Sequence, residues 1–355
     1  MTGLDLPGLE ERARNVLPAS TYDFLAGGAD DELTLDDSIA AWSRLRLWPR
    51  VLRDVAAVDT STTVLGSPVA APILVVPIGY QRLVRPEGEA ATASGTARAG
   101  TLMVVPTRSS VAIDKVAAAV SPAPWWFQVY VLRDRARTAD LVAHAAASGC
   151  RALVLTGDTP VLGRRVRDER NAFRVHVDLE ASGRDHGAEQ DPSITFAAIE
   201  WLAGLSGLPV IVKGVLRADD ARACLASGAV AITVSNHGGR QLDTAVASAD
   251  ALPIVVDAVA GRGEVYVDGG VRRASDIVKA LALGARAVMV GRPVIWGLAV
   301  DGVDGVAHVI DGLRVELARA MALCGAASVG DVTSDLVTSG KVATTAQAED
   351  APPSL

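Results

Sequence analysis

The sequence predicts a closed (β/α)8 barrel, and three observations predict it. Eight short β-branched runs recur along the chain, with longer stretches rich in Ala, Leu, Arg and Asp between them. Those runs are continuously apolar rather than alternating, as strands covered on both faces must be. Half of the 355 residues are hydrophobic and 21% are charged, so the chain can bury one large core at a length that suits a single barrel. Only 4% of the residues are aromatic, which leaves the packing to Ala, Val, Leu and Gly. An open dinucleotide-binding sheet would place GxGxxG after an early strand, and no such motif stands there.

In chain order, residues 1–65 precede the first strand and read as a helical preface. Strands are expected at Pro72–Pro77 (PILVVP), Thr101–Val105 (TLMVV), Trp126–Val131 (WFQVYV) and Arg151–Thr156 (RALVLT). Four more are expected at Pro209–Lys213 (PVIVK), Ala231–Ser235 (AITVS), Glu264–Asp268 (EVYVD) and Ala287–Gly291 (AVMVG). Helices fit between them, for example over Asp134–Ala147, Ala218–Ser227 and Ala274–Leu283. Residues 174–195 are polar, contain glycine and lack periodicity. They predict a long loop after the fourth strand, a mobile lid on the face where barrel active sites sit. Residues 66–338 thus hold the barrel and its C-terminal helices, and residues 339–355 read as a frayed tail. The whole chain, 1–355, is expected to be one domain.

The formal net charge of −7 argues against a nucleic-acid partner, which needs a basic face. Cys150, Cys224 and Cys324 are far apart, without CxxC or His-Cys clustering. They predict buried thiols in a reducing compartment, with no metal site. The first residues carry acidic groups and no apolar core, and no run of about 18 uninterrupted apolar residues exists. A cytoplasmic protein without membrane attachment is the expectation.

Chemistry concentrates at strand ends. The run SNHGGRQLD, Ser235–Asp243, closes the sixth strand and brings His237 and Arg240 together across Gly238 and Gly239. An imidazole takes a proton near neutral pH, and a guanidinium holds a carboxylate through two parallel hydrogen bonds. Taken alone, the pair is also compatible with a loop histidine and a solvated arginine. After the seventh and eighth strands, Gly269, Gly270 and Arg272 are followed by Gly291 and Arg292. Barrels of this class bind phosphate there, where glycine lets backbone amides approach an anion at a helix start. Lys213 ends an apolar strand, where burial is costly unless an anion answers the charge.

With these motifs the chain resembles the FMN-dependent α-hydroxy-acid oxidases and dehydrogenases, a family that includes glycolate and lactate oxidases and mandelate dehydrogenase. The Ser-Asn-His-Gly-Gly-Arg-Gln run is intact. The likeness extends from LPASTYDFLAGGADDELTL to GRPVIWGLAVDGVDGV, and PIGYQRLVRPEGE and VRDERNAF look closest to its hydroxymandelate oxidase branch. The resemblance implies FMN as cofactor and oxidation of an L-2-hydroxy acid to the 2-oxo acid. It implies His237 as catalytic base, Asp158 as its carboxylate partner, and Tyr130 as a hydrogen-bond donor to the substrate. Arg240 and Arg165 would hold the substrate carboxylate. Pro77, Ile78, Gly79, Pro106, Gln128, Thr156, Lys213, Ser235, Asp268, Gly269, Gly270, Arg272, Gly291 and Arg292 would hold the flavin. Taken singly, Tyr130, Arg165 and Asp158 are equally compatible with a core tyrosine, a surface arginine and a turn aspartate.

Departures from the family pattern bear on substrate. Phe24 stands where many members carry a second carboxylate-binding tyrosine, leaving an apolar surface suited to an aryl group. Pro106 stands where many relatives have Ser, and Arg108 where glycolate oxidase has an aromatic residue. Arg108 could recruit a polar or acidic group. Gly79 replaces a common Ala, which suggests open space beside the flavin. The expected substrate is therefore a mandelate-type acid, with oxygen or a soluble carrier as electron acceptor and a homotetramer or related homo-oligomer as assembly. Alternatives are a biosynthetic FMN enzyme acting on a peptide- or amine-derived substrate, oxidative decarboxylation of the hydroxy acid, or a non-catalytic FMN-binding barrel. Intact His237 and Arg240 speak against the last.

Overall fold

A computed structural model describes residues 4–180 and 189–338 and forms a closed barrel of eight parallel strands. These are β1 (Ile73–Val75), β2 (Met103–Val105), β3 (Trp125–Val129), β4 (Leu153–Thr156), β5 (Val210–Val215), β6 (Ala231–Val234), β7 (Glu264–Val267) and β8 (Ala287–Val290). They neighbour one another in chain order, and β8 closes on β1 through Val288 opposite Ile73 and Val290 opposite Val75. All eight fall inside or within two residues of the runs read from the sequence. The three expected helices form at Arg135–Ala147, Ala218–Ala226 and Ala274–Ala282. The first is capped by Asp134, whose side chain accepts from the Arg137 amide at 3.1 Å.

Strand periodicity explains both the core and the site. Side chains two apart on a strand share a face. Leu74, Val104, Trp126, Val154, Ile211, Tyr266 and Met289 pack together as one buried cluster inside the barrel. Two positions further along, the same parity delivers Gln128, Thr156, Lys213 and Asp268 to the carboxyl-terminal mouth. Each is at least 95% buried. The apolar runs thus end on inward-facing polar groups, which is where a barrel builds chemistry.

The opposite mouth is plugged by an antiparallel hairpin, Thr62–Val64 with Ser67–Val69, whose Val64 and Val69 join the interior cluster. The preface is therefore helical only in part. Helices occupy Leu6–Val16, Ala19–Ala26 and Leu33–Arg44, and Arg46–Leu47 then pairs with Val337–Thr338 as a short ribbon. Isolated two- and three-residue strands carry too little periodicity to be read in advance. Of the expected lid over 174–195, residues 181–188 lie outside the described residues, as does the expected tail from 339 onward.

The run Arg292–Leu323 is long and apolar enough in composition to cross a membrane. Here it bends at Asp301 and Gly302, and one side chain after another on it is buried against the barrel. The bend folds Gly297 and Gly305 onto each other, so a β-carbon on Gly305 would lie 1.9 Å from the Gly297 carbonyl oxygen. Gly305→Ala should therefore overpack this crossing and cost about 1–3 kcal/mol, read as a lower midpoint in denaturant unfolding. An unchanged midpoint would show that the crossing is not the constraint described.

Candidate active site at the barrel mouth

The carboxyl-terminal mouth opens into a cavity of ≈ 750 Å³. Every residue to which the family resemblance gave a catalytic, substrate or flavin contact lines it except Asp158 and Ser235, which reach it through His237 and Lys213. Residues scattered over nearly three hundred positions are thus gathered at one place.

His237 follows β6 in a turn of left-handed residues, with φ of 58° and then 63° and 74° at Gly238 and Gly239. A non-glycine residue there is strained, and the surroundings hold it. The His237 amide donates to Ser235 Oγ at 3.0 Å, and Asn236 donates to Ser38 Oγ at 2.9 Å. A β-carbon on Gly239 would collide with the Leu35 backbone. The turn aims the ring at Asp158, whose Oδ1 lies 2.9 Å from Nδ1. With that nitrogen donating to the carboxylate, Nε2 is left as the proton acceptor. Burial works against the Asp158 charge, but His237 and then Lys213 outweigh it and hold its pKa below the ordinary value. Asp158 owes its place to Gly214, which has φ of 103° in a register shift of β5 and whose β-carbon would stand 2.6 Å from the Asp158 side chain.

Beside this pair lies a guanidinium cluster. Arg240 and Arg292 both donate to the Gly27 carbonyl, at 2.7 and 2.9 Å, at the end of helix Ala19–Ala26. Arg292 also donates to the carbonyls of Leu25 and Gly238. Burial, with Arg165 and Arg292 nearby, pushes Arg240 well below the ordinary arginine value. Burial and then Arg272 lower Arg292 to about 9. Guanidinium groups do not give up the proton in proteins, so Arg240 and Arg292 are buried cations crowded by other arginines. Arg165 pairs with Asp168 only at 3.8 Å, and its buried Nε has no partner among the described residues.

One wall is aromatic. Phe24 stacks on Phe173 with centroids 4.7 Å apart and meets Tyr80 edge-on at 6.2 Å. Arg240 and Arg165 lie over the Phe24 ring, at 5.3 and 5.8 Å. Phe24 was expected here. Phe173 and Tyr80 were not: both stand in quoted motifs, PIGYQRLVRPEGE and VRDERNAF, but nothing in their spacing brings them to the helix that carries Phe24.

The floor is polar and ordered. Lys213 donates to Ser235 Oγ at 2.8 Å and pairs with Asp268 at 3.1 Å. Burial opposes its charge, yet Asp268 and Asp158 together raise its pKa. Gln128 donates to Thr156 Oγ1 at 3.0 Å and accepts from the Thr107 amide at 3.0 Å. Asp268 Oδ1 is buried and has no hydrogen-bond partner among the described residues. After β7, Gly269 and Gly270 have φ of 93° and 78°, and a β-carbon on Gly270 would overlap the Ser38 carbonyl oxygen. Only glycine can make that turn. One sequence expectation changes: a β-carbon on Gly79 would meet not open space but the Arg108 carbonyl oxygen at 2.8 Å. Glycine there lets the Arg108 backbone approach.

A family model described as FMN-dependent dehydrogenase matches residues 13–339. An L-lactate oxidase from Nostoc sp. is 46% identical, covering 91% of this chain and 94% of its own. A 4-hydroxymandelate oxidase from Amycolatopsis orientalis is 44% identical, covering 93% and 97%. A crystal structure of mandelate oxidase with benzoyl-formic acid superposes with a TM-score of 0.88 at 44% identity, covering 95% of this chain and 98% of that one.

A test of the guanidinium cluster follows. Arg240→Lys keeps the charge but loses the planar two-point fork. Binding of oxalate to the flavin-loaded protein, followed by calorimetry, should weaken about tenfold or more. Unchanged affinity would mean that Arg240 does not face the carboxylate.

Proposed function

This chain is a member of the FMN-dependent dehydrogenase family, and on that premise we propose that it oxidises an aryl 2-hydroxy acid to the 2-oxo acid, with oxygen as electron acceptor. The observation that carries the substrate class is the Phe24–Phe173–Tyr80 wall packed directly against the Arg240 and Arg165 guanidinium groups. An apolar ring and a carboxylate carried on the same α-carbon fit that juxtaposition. The oxidase names of the compared relatives support oxygen.

The residues present fit FMN. The unpartnered Asp268 carboxylate oxygen faces polar hydroxyls better than an apolar ligand. Arg272, beside the glycine turn, and Arg292, the first residue of the helix Arg292–Leu323, suit a phosphate. Gln128, Thr156 and Lys213 would hold the polar edge of the ring system, with Pro77, Ile78, Gly79 and Pro106 along its apolar face. FMN, when bound, supplies the acceptor for the two electrons that leave the substrate α-carbon.

The protein supplies the rest. Arg240, assisted by Arg165, binds the carboxylate and fixes the orientation of the α-carbon. Tyr130 stays protonated, since burial and then Asp158 raise its pKa, and so it can donate a hydrogen bond to the substrate. His237 Nε2 accepts a substrate proton. The Asp158 carboxylate on Nδ1 holds the ring in place and stabilises the imidazolium that results. The aromatic wall excludes water from the reacting carbons.

Anaerobic bleaching of the flavin tests this reading. (S)-Mandelate should bleach it about tenfold or more faster than glycolate at equal concentration, the worth of burying an aryl ring. His237→Ala should slow bleaching about 10²–10⁴-fold while the flavin stays bound. Admitting air should restore the colour. Faster bleaching by glycolate would overturn the aryl assignment, a near-native rate in His237→Ala would overturn the base, and a flavin that stays bleached in air would exclude oxygen.

A further inference from the structure

We propose that Arg108 is a second anion-binding residue, and that the substrate is an aryl 2-hydroxy acid carrying an additional anionic group on its ring. The inference rests on the aryl reading above and adds to it the chemistry of the distal end.

Arg108 is the cavity cation left without a charge partner. Lys213 is answered by Asp268, Arg133 by Glu189 at 2.9 Å, and Arg165 loosely by Asp168. Arg272 and Arg292 belong to the glycine turn, and Arg240 to the carboxylate. Among the described residues the Arg108 side chain makes no hydrogen bond or ion pair. Its guanidinium lies over the Tyr130 ring at 5.8 Å and lines the cavity.

The backbone that carries this cation is fixed. The Thr107 amide and hydroxyl bond to Gln128 at 3.0 and 2.6 Å, and the Tyr130 amide donates to Thr107 Oγ1 at 3.0 Å. The Arg108 carbonyl accepts from the Tyr80 amide at 3.0 Å. That approach is possible only because Gly79 has no side chain. Below, the buried Glu89 accepts from the Gln81 amide at 3.0 Å and from Ser110 Oγ at 2.6 Å, tying the two loops together. A solvated surface arginine would need none of this. The loop instead presents the cation over the Tyr130 ring on the cavity wall, whereas Arg165 and Arg240 lie over Phe24. A ring seated among Phe24, Tyr80 and Tyr130, with its carboxylate on Arg240, turns its substituent toward Arg108.

The test compares four acids on the flavin-loaded enzyme. They are mandelate, mandelate with a carboxylate at the ring 4-position, and a pair of aliphatic 2-hydroxy acids with and without a terminal carboxylate. For the wild type, kcat/KM should favour 4-carboxymandelate over mandelate by about tenfold or more, the worth of a charge-assisted hydrogen bond. In Arg108→Leu that ratio should fall to within about threefold of one, mainly through KM, and Arg108→Lys should recover part of it. A wild-type ratio at or below one, or a ratio that Arg108→Leu leaves intact, overturns the proposal. A preference for the second carboxylate that depends on Arg108 only within the aliphatic pair overturns the aryl reading instead, and with it the ring-borne placement proposed here.

Discussion

The site depends on one constraint: several cations are placed at the mouth of an apolar barrel without enough protein anions to match them. Burying unpaired charge is costly, and the lowered values of Arg240 and Arg292 record that cost. The fold meets part of it with backbone. The carbonyls of Leu25 and Gly27, at the carboxyl end of a preface helix, turn their negative ends to Arg240 and Arg292. Those contacts orient the guanidinium groups but do not neutralise them. Ligand anions would complete the arrangement, and this is why these residues suit a carboxylate and a phosphate.

The base pair obeys the opposite logic. Asp158 and His237 answer each other at 2.9 Å, and Lys213 adds to the forces that favour the carboxylate charge. What the fold supplies there is geometry. His237 is forced into a left-handed conformation, and Gly214 vacates the space that Asp158 fills. Under the proposed function, this donor–acceptor pair beside the guanidinium cluster would set the proton acceptor at a fixed place relative to a carboxylate on Arg240.

Much of this was legible in the sequence, for physical reasons. The eight strands announced themselves because strands covered on both faces must be continuously apolar. Of their terminal polar residues, Lys213 stood out as a cation against that background, whereas Gln128, Thr156 and Asp268 were marked only by the family resemblance. Gly269, Gly270, His237 and Arg240 were visible because their order in the chain is short. The Phe173 and Tyr80 contributions to the aromatic wall were not visible, since they come from loops joined only in space. Nor was the reason for Gly79. Sequence suggested room beside the cofactor, whereas the missing side chain makes way for the Arg108 backbone. The hairpin plug and the terminal ribbon escaped for a simpler reason, being too short to show a period.

The most direct test of the central constraint is the affinity of flavin-free protein for FMN against riboflavin, which lacks the phosphate. If Arg272 and Arg292 await an anion, calorimetric titration should find riboflavin bound about a hundredfold or more weaker than FMN. Equal affinities would contradict the account, because the buried arginines would then be satisfied without the charge they are arranged to meet.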